Sequence, residues 1–167
     1  MILPTVNNKI KHREPLYLVL QNIRSLLNIG AIFRTADAFS VNKIYLCGYS
    51  AYPPERQMDK ISKTALGAEK SVPWEYHKQT TRLIKKLKSQ KVSIVALEIT
   101  KKSIPLSKFT PCFPLAIILG NEVRGVSKNI LQLCDTIVEI PQTGIKESLN
   151  VATASAIALY EICTKRK

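Results

Sequence analysis

Leu16 to Cys47 reads LYLVLQNIRSLLNIGAIFRTADAFSVNKIYLC, and this stretch decides the fold class. Leu16 to Leu20 is a short apolar run of strand formers that ends at polar Gln21 and Asn22. From Ile29 onward, Ile29, Ile32, Phe33, Ala36 and Phe39 recur at helical spacing, with Asn28 standing before them as an expected N-cap. Lys43 to Cys47 is the next strand, closed by Gly48. Strand, helix and strand within so short a span make a βαβ unit, which requires a parallel sheet.

The same alternation continues along the chain. Pro53 and Pro54 open a loop, and a short helix is expected over Met58–Leu66. Thr80–Lys88 reads as a basic amphipathic helix and Val92–Leu97 as a strand. Lys101–Pro114 carries three prolines and three lysines, so a surface connection with little regular structure is expected there. Leu115–Leu119 (LAIIL) is a continuous aliphatic run, the pattern of a strand buried on both faces. A helix over Ser127–Leu133, a strand over Thr136–Ile140 and a long helix from Ser148 to Cys163 complete the series. The expected class is α/β, a mostly parallel sheet with helices on both faces, in one domain spanning residues 1–167.

Composition narrows the partners. Lys and Arg number 25 against 12 acidic residues, a net charge of +13, and such a field attracts polyanions, nucleic acid first among them. The four cysteines form no C-x-x-C pair and the two histidines lie far apart, so no metal site is expected. The N-terminus lacks the apolar core, about 7–15 residues long, of a secretory signal. No apolar run approaches the roughly 20 residues of a membrane span. The expectation is a reduced, cytoplasmic protein with no membrane attachment.

Open α/β sheets bind ligands in the loops after their strand ends. Three such loops are unusually polar and contain glycine: NIRSLLNIGAIFRTA (22–36), LGNEVRGVS (119–127) and IPQTGIKESLNVATA (140–154). Together, in this order and spacing, they resemble the three signature motifs of the SpoU/TrmH branch of the SPOUT methyltransferases. KTALGAEKSVPWEY (63–76) is similar to the family's segment between the first two. The resemblance runs from about Leu16 to Ile162. It implies a C-terminal trefoil knot, S-adenosylmethionine bound in the knot crevice, and a homodimer whose active site draws on both subunits. The implied reaction is methylation of a ribose 2′-oxygen in structured RNA, with tRNA the first substrate class and rRNA the second. The competing Rossmann fingerprint, G-x-G-x-x-G after the first strand, is absent. A knotted RNA-binding module without catalysis is the alternative reading.

The resemblance also assigns roles. Arg34 matches the motif-one arginine that acts near the ribose hydroxyl and its phosphate; the plainer reading is a surface pair with Asp37, worth roughly 0.2–0.5 kcal/mol. Asn28 matches the motif-one asparagine, orienting Arg34 or substrate, and Gly30 allows close backbone approach. Glu122 matches the motif-two glutamate, holding Arg34 or touching substrate. Ser148 and Asn150 match the polar residues of motif three, with Ser148 opening the last helix and Asn150 inside it. Leu97, Glu98, Leu119, Gly120, Asn121, Ile140, Pro141 and Leu149 would line the cofactor site; core packing is the alternative for the aliphatic ones. Gly125 and Ser127 are read as a turn and a helix cap. The motif-one segment departs from the family in having Ser25 and Leu26 where Asp-Pro is common. Relatives often carry an RNA-binding extension, and in its place Arg13, Arg24, Arg34, Arg56 and Lys60, with Lys9, Lys11 and the basic tail Lys165–Lys167, are the candidate RNA contacts.

Overall fold

Buried aliphatic runs set the sheet. The computed structural model describes residues 13–52, 58–145 and 148–166. Its strands are β1 (Leu16–Gln21), β2 (Lys43–Cys47), β3 (Trp74–His77), β4 (Ser93–Leu97), β5 (Ile104–Pro105), β6 (Leu115–Leu119) and β7 (Thr136–Glu139). Its helices are α1 (Leu26–Ala38), α2 (Met58–Ala65), α3 (Ala68–Ser71), α4 (Thr80–Ser89), α5 (Lys128–Leu131) and α6 (Val151–Thr164). The seven strands form one sheet in the order β3-β2-β1-β6-β4-β7-β5. Every pairing in it is parallel.

β6 lies between β1 and β4, and all five of its residues are buried. Side chains alternate across it: Leu115, Ile117 and Leu119 join one core, Ala116 and Ile118 the other. The first core takes Ile29, Ile32, Phe33 and Ala36 of α1, Ile61 of α2, and Ala158, Leu159 and Ile162 of α6. The second takes Leu83, Ile84 and Leu87 of α4 and Ile130 of α5. Helices therefore cover both faces, as expected from the aliphatic runs. Gly30 is where α1 and α2 touch, since a Cβ there would collide with the Thr64 hydroxyl and the Ile61 carbonyl.

Several boundaries differ from the sequence reading. α1 starts at Leu26 and its N-cap is Ser25, whose hydroxyl accepts the Asn28 N–H at 3.2 Å. Asn28 is thus inside the first turn, and its side chain is released for other bonds. α6 starts at Val151, after Ser148, and Asn150 is its N-cap rather than an interior residue. Residues 101–114 are more ordered than expected: β5 pairs with β7, followed by a turn of 3-10 helix at Leu106–Lys108. Burial of Leu106 and Phe109 anchors this segment, and Pro105 is tolerated because β5 is an edge strand. β3 and α3 were not anticipated. The tail residues Lys165 and Arg166 spend their donors on the fold. Lys165 Nζ donates to the Ser107 and Phe109 carbonyls, and Arg166 to those of Glu14, Phe39 and Ser40.

Candidate active site

The loops after β1, β4, β6 and β7 meet at the C-terminal edge of the sheet. This is where β6 has been inserted between β1 and β4, and where open parallel sheets form ligand crevices. The loop after β6 is closed on itself. Asn121 and Gly125 exchange two backbone hydrogen bonds, of 3.2 and 2.9 Å, and the Asn121 side-chain oxygen accepts the Val123 and Arg124 N–H groups. Gly125 has φ +64°, and Gly120 faces the Gly125–Val126 peptide so closely that a Cβ would overlap it. Gly120 is therefore required by loop closure, a different reason from the cofactor approach expected for it.

Neighbouring elements clamp this loop. Gln21 and Ser127 bond reciprocally, Nε2 to Oγ at 2.6 Å and Ser127 N–H to Oε1 at 3.1 Å. The Ser127 hydroxyl thus serves Gln21 and makes no cap bond to α5. Glu98 Oε2 accepts the Val126 N–H at 2.7 Å, and Asn121 Nδ2 donates to the Asn22 carbonyl at 2.8 Å.

Glu122 is held from several sides. Its carboxylate accepts the Ser25 N–H at 3.2 Å, the Arg24 N–H at 3.4 Å and Asn28 Nδ2 at 3.2 Å. Partial burial pushes its pKa up, but hydrogen bonds from its own backbone, Asn28, Ser25 and Arg24 outweigh that and hold it below the ordinary value. Asn28 Oδ1 in turn accepts from Asn150 Nδ2 at 3.1 Å. Asn150 Oδ1 caps α6 by accepting the Ala152 and Thr153 N–H groups.

Beside this network lies a cleft partly open to solvent. Of the sequence-derived cofactor residues, Leu97, Glu98, Leu119, Gly120, Asn121, Ile140 and Leu149 line it, as do Glu122 and Ser148. Pro141 is exposed and is not among the lining residues. Glu139, Gln142 and Val123 line it without having been anticipated. Val123 carried a signal, an apolar side chain in a polar loop, and it is 91% exposed.

Arg34 stands apart. It is exposed on α1, and no hydrogen bond or ion pair joins its side chain to Asn28, Asp37 or Glu122 among the described residues. Asp37 instead accepts from Ser71 Oγ at 2.7 Å, and Glu122 is held by α1's first turn instead of by Arg34. Arg13, Arg24 and Lys60 are exposed. Arg56, Lys9, Lys11 and Lys167 fall outside the described residues.

Fold and cleft define an α/β protein with a parallel sheet and a ligand site at its C-terminal edge. The chain belongs to the SpoU rRNA Methylase family, whose model matches residues 15–160. It is 29% identical over 159 residues to the tRNA (guanosine(18)-2′-O)-methyltransferase of Escherichia coli strain K12, covering 95% of this chain and 67% of that protein. It is 35% identical to the 23S rRNA (guanosine-2′-O-)-methyltransferase RlmB of Vibrio parahaemolyticus, covering 93% and 62%. The crystal structure of an AdoMet-bound rRNA methyltransferase from Sinorhizobium meliloti superposes with a TM-score of 0.83 at 26% identity, covering 90% of this chain and 56% of that one. The chain thus spans from just over half to two thirds of the length of these three proteins.

Proposed function

We propose that this protein transfers the methyl group of S-adenosylmethionine to a ribose 2′-oxygen of structured RNA, with tRNA the first substrate class and rRNA the second. The observation that carries the reading is the Asn28–Glu122–Asn150 network at the edge of the cleft, which links all three motif loops. Relatives named as tRNA and rRNA 2′-O-methyltransferases, and an AdoMet-bound neighbour, support it.

The cleft suits the cofactor chemically. Leu97, Leu119, Ile140 and Leu149 offer apolar walls to an adenine, and Ser148 and Gln142 offer polar contacts to its ribose and amino-acid ends. In a chain of net charge +13, three glutamates, Glu98, Glu122 and Glu139, line this one cleft and favour a cationic ligand. Bound S-adenosylmethionine supplies an electrophilic methyl on sulfur. The protein's own part is to align the ribose oxygen with that methyl and to lower the cost of its deprotonation. Glu122 and Asn150 fix the edge on which the ribose rests. Arg34 stabilises the developing alkoxide or steers a substrate phosphate that takes its proton.

The exposure of Arg34, away from Asn28 and Glu122, supports a homodimer in which this arginine completes the site of the partner subunit. Exposed Leu27 on α1 and Ile157 and Tyr160 on α6 are suited to such an interface. A single domain, a C-terminal trefoil knot and a cytoplasmic setting belong to the same reading. It is tested by supplying labelled S-adenosylmethionine and tRNA or rRNA from cells lacking the protein. Label incorporated into RNA is the expected result. No cofactor binding and no transfer would contradict the proposal.

A further inference from the structure

Asn121, Glu122 and Val123 have a cleft on each side of them. One is the cleft described above. The other, open to solvent, has Arg24, Tyr49 and Arg124 as its far wall. The Arg24 guanidinium lies 5.0 Å from the centre of the Tyr49 ring, a cation–π arrangement that presents a planar, charged surface. Neither Arg24 nor Arg124 is within ion-pair distance of a carboxylate among the described residues.

Tyr49 is about half exposed, yet its loop is braced from both sides. Its N–H donates to Asn22 Oδ1 at 3.1 Å. Gly48, at φ +67°, accepts from Tyr76 Oη at 2.7 Å, and the Tyr76 ring stacks on Tyr52 with centroids 4.4 Å apart. Three of the six tyrosines thus gather, partly exposed, about the C-terminal ends of β2 and β3. An exposed aromatic ring held in place by hydrogen bonds, beneath a guanidinium that makes no ion pair among the described residues, is the surface on which unstacked bases of single-stranded RNA settle.

We propose that this second cleft receives the splayed-out base of a single-stranded RNA nucleotide, stacked on the Tyr49–Arg24 pair, with Arg124 meeting an adjoining phosphate. The inference rests on the methyltransferase reading in one respect: the ribose of that nucleotide then lies over the shared wall, toward the cofactor cleft. Stacking needs a π-face and no particular base edge, so the site accepts any base. Identity of the target is read elsewhere in the RNA.

A binding test separates this proposal from the catalytic reading. Tyr49→Trp, in a Trp74→Phe background that removes the chain's one tryptophan, gives a fluorescent reporter at the stacking position. A short unstructured oligoribonucleotide should quench its emission, and an abasic oligomer of equal length and charge should not. In unlabelled protein, Tyr49→Ala should weaken binding of the base-bearing oligomer by about tenfold. It should leave the abasic oligomer and S-adenosylmethionine unaffected, and Tyr49→Phe should restore wild-type affinity. Equal quenching by both oligomers, no quenching by either, or unchanged affinity in Tyr49→Ala would overturn the proposal. Base-dependent quenching in a protein that transfers no methyl group would sink the catalytic reading and leave the base site standing. Methyl transfer indifferent to Tyr49→Ala would do the reverse.

Discussion

Asn28 and Asn150 lie 122 positions apart in the chain and are joined by a 3.1 Å hydrogen bond, the Asn150 amide donating to the Asn28 oxygen. Asn28 simultaneously donates to Glu122 at 3.2 Å. One side chain therefore ties together the first turn of α1, the loop after β6 and the cap of α6. Only an amide, with a donor and an acceptor on the same fork, satisfies both neighbours. Asn28→Ala should cost about 1 kcal/mol of stability. Asn28→Asp should cost more, because its carboxylate meets that of Glu122. Both should abolish methyl transfer; thermal melts and turnover assays together check this.

Asn150 has two separable tasks. Its oxygen caps α6 and its amide holds Asn28. Asn150→Ala removes both and should destabilise by about 1 kcal/mol. Asn150→Asp keeps an equally good cap but cannot donate to Asn28. With a carboxylate now facing the Asn28 oxygen, it should melt below wild type but above Asn150→Ala, and still lose turnover. Wild-type turnover in Asn150→Asp would show that the link to Asn28 is dispensable.

Glu122 makes the network sensitive to acid. Its folded pKa is held below the ordinary carboxylate value of 4.5. A depressed folded pKa means that the stabilisation is complete above the unfolded value and is lost as pH falls through the folded one. Wild type and Glu122→Gln should therefore differ most in stability at neutral pH and converge as the solution is acidified below the carboxylate range. Urea melts across that range measure the difference; a gap that widens in acid would contradict the assignment.

Gly30 sets a steric contest. Alanine is the better helix former by about 1 kcal/mol, but at this position its methyl would enter the Thr64 hydroxyl and the Ile61 carbonyl. Part of that obstacle is backbone, which cannot swing aside, so overpacking of about 1–3 kcal/mol should win. Gly30→Ala is expected to lower the melting temperature. A rise would mean that α1 and α2 separate freely.

Burial explains how much of this was legible beforehand. β1, β2 and β6 are interior strands and almost wholly buried; β6 (LAIIL) is correspondingly continuous in aliphatics, and β1 and β2 are mostly apolar. β3 and β5 are the edges; β3 has three half-buried residues around an exposed Tyr76 and β5 has only two residues, so neither leaves a period to read. The cap of α1 was misplaced because Ser25 and Asn28 are both good caps, and burial of α1 against α2 and α6 does not choose between them. Asn150 misled in the opposite sense, a cap read as a helix interior. The motif loops were recognisable from their order and their resemblance to a family. The pairing of Asn28 with Asn150 and of Gln21 with Ser127 was not, since each joins segments more than a hundred residues apart.

The most direct measurement is where a transferred methyl resides. RNA labelled by this protein with methyl-tritiated S-adenosylmethionine would be hydrolysed in alkali, which needs a free 2′-hydroxyl to cut the chain. Methylation of the ribose oxygen predicts label confined to alkali-resistant dinucleotides, and its loss in Arg34→Ala with cofactor affinity retained. Label recovered in mononucleotides, on a base, would contradict the assigned reaction even though transfer had occurred.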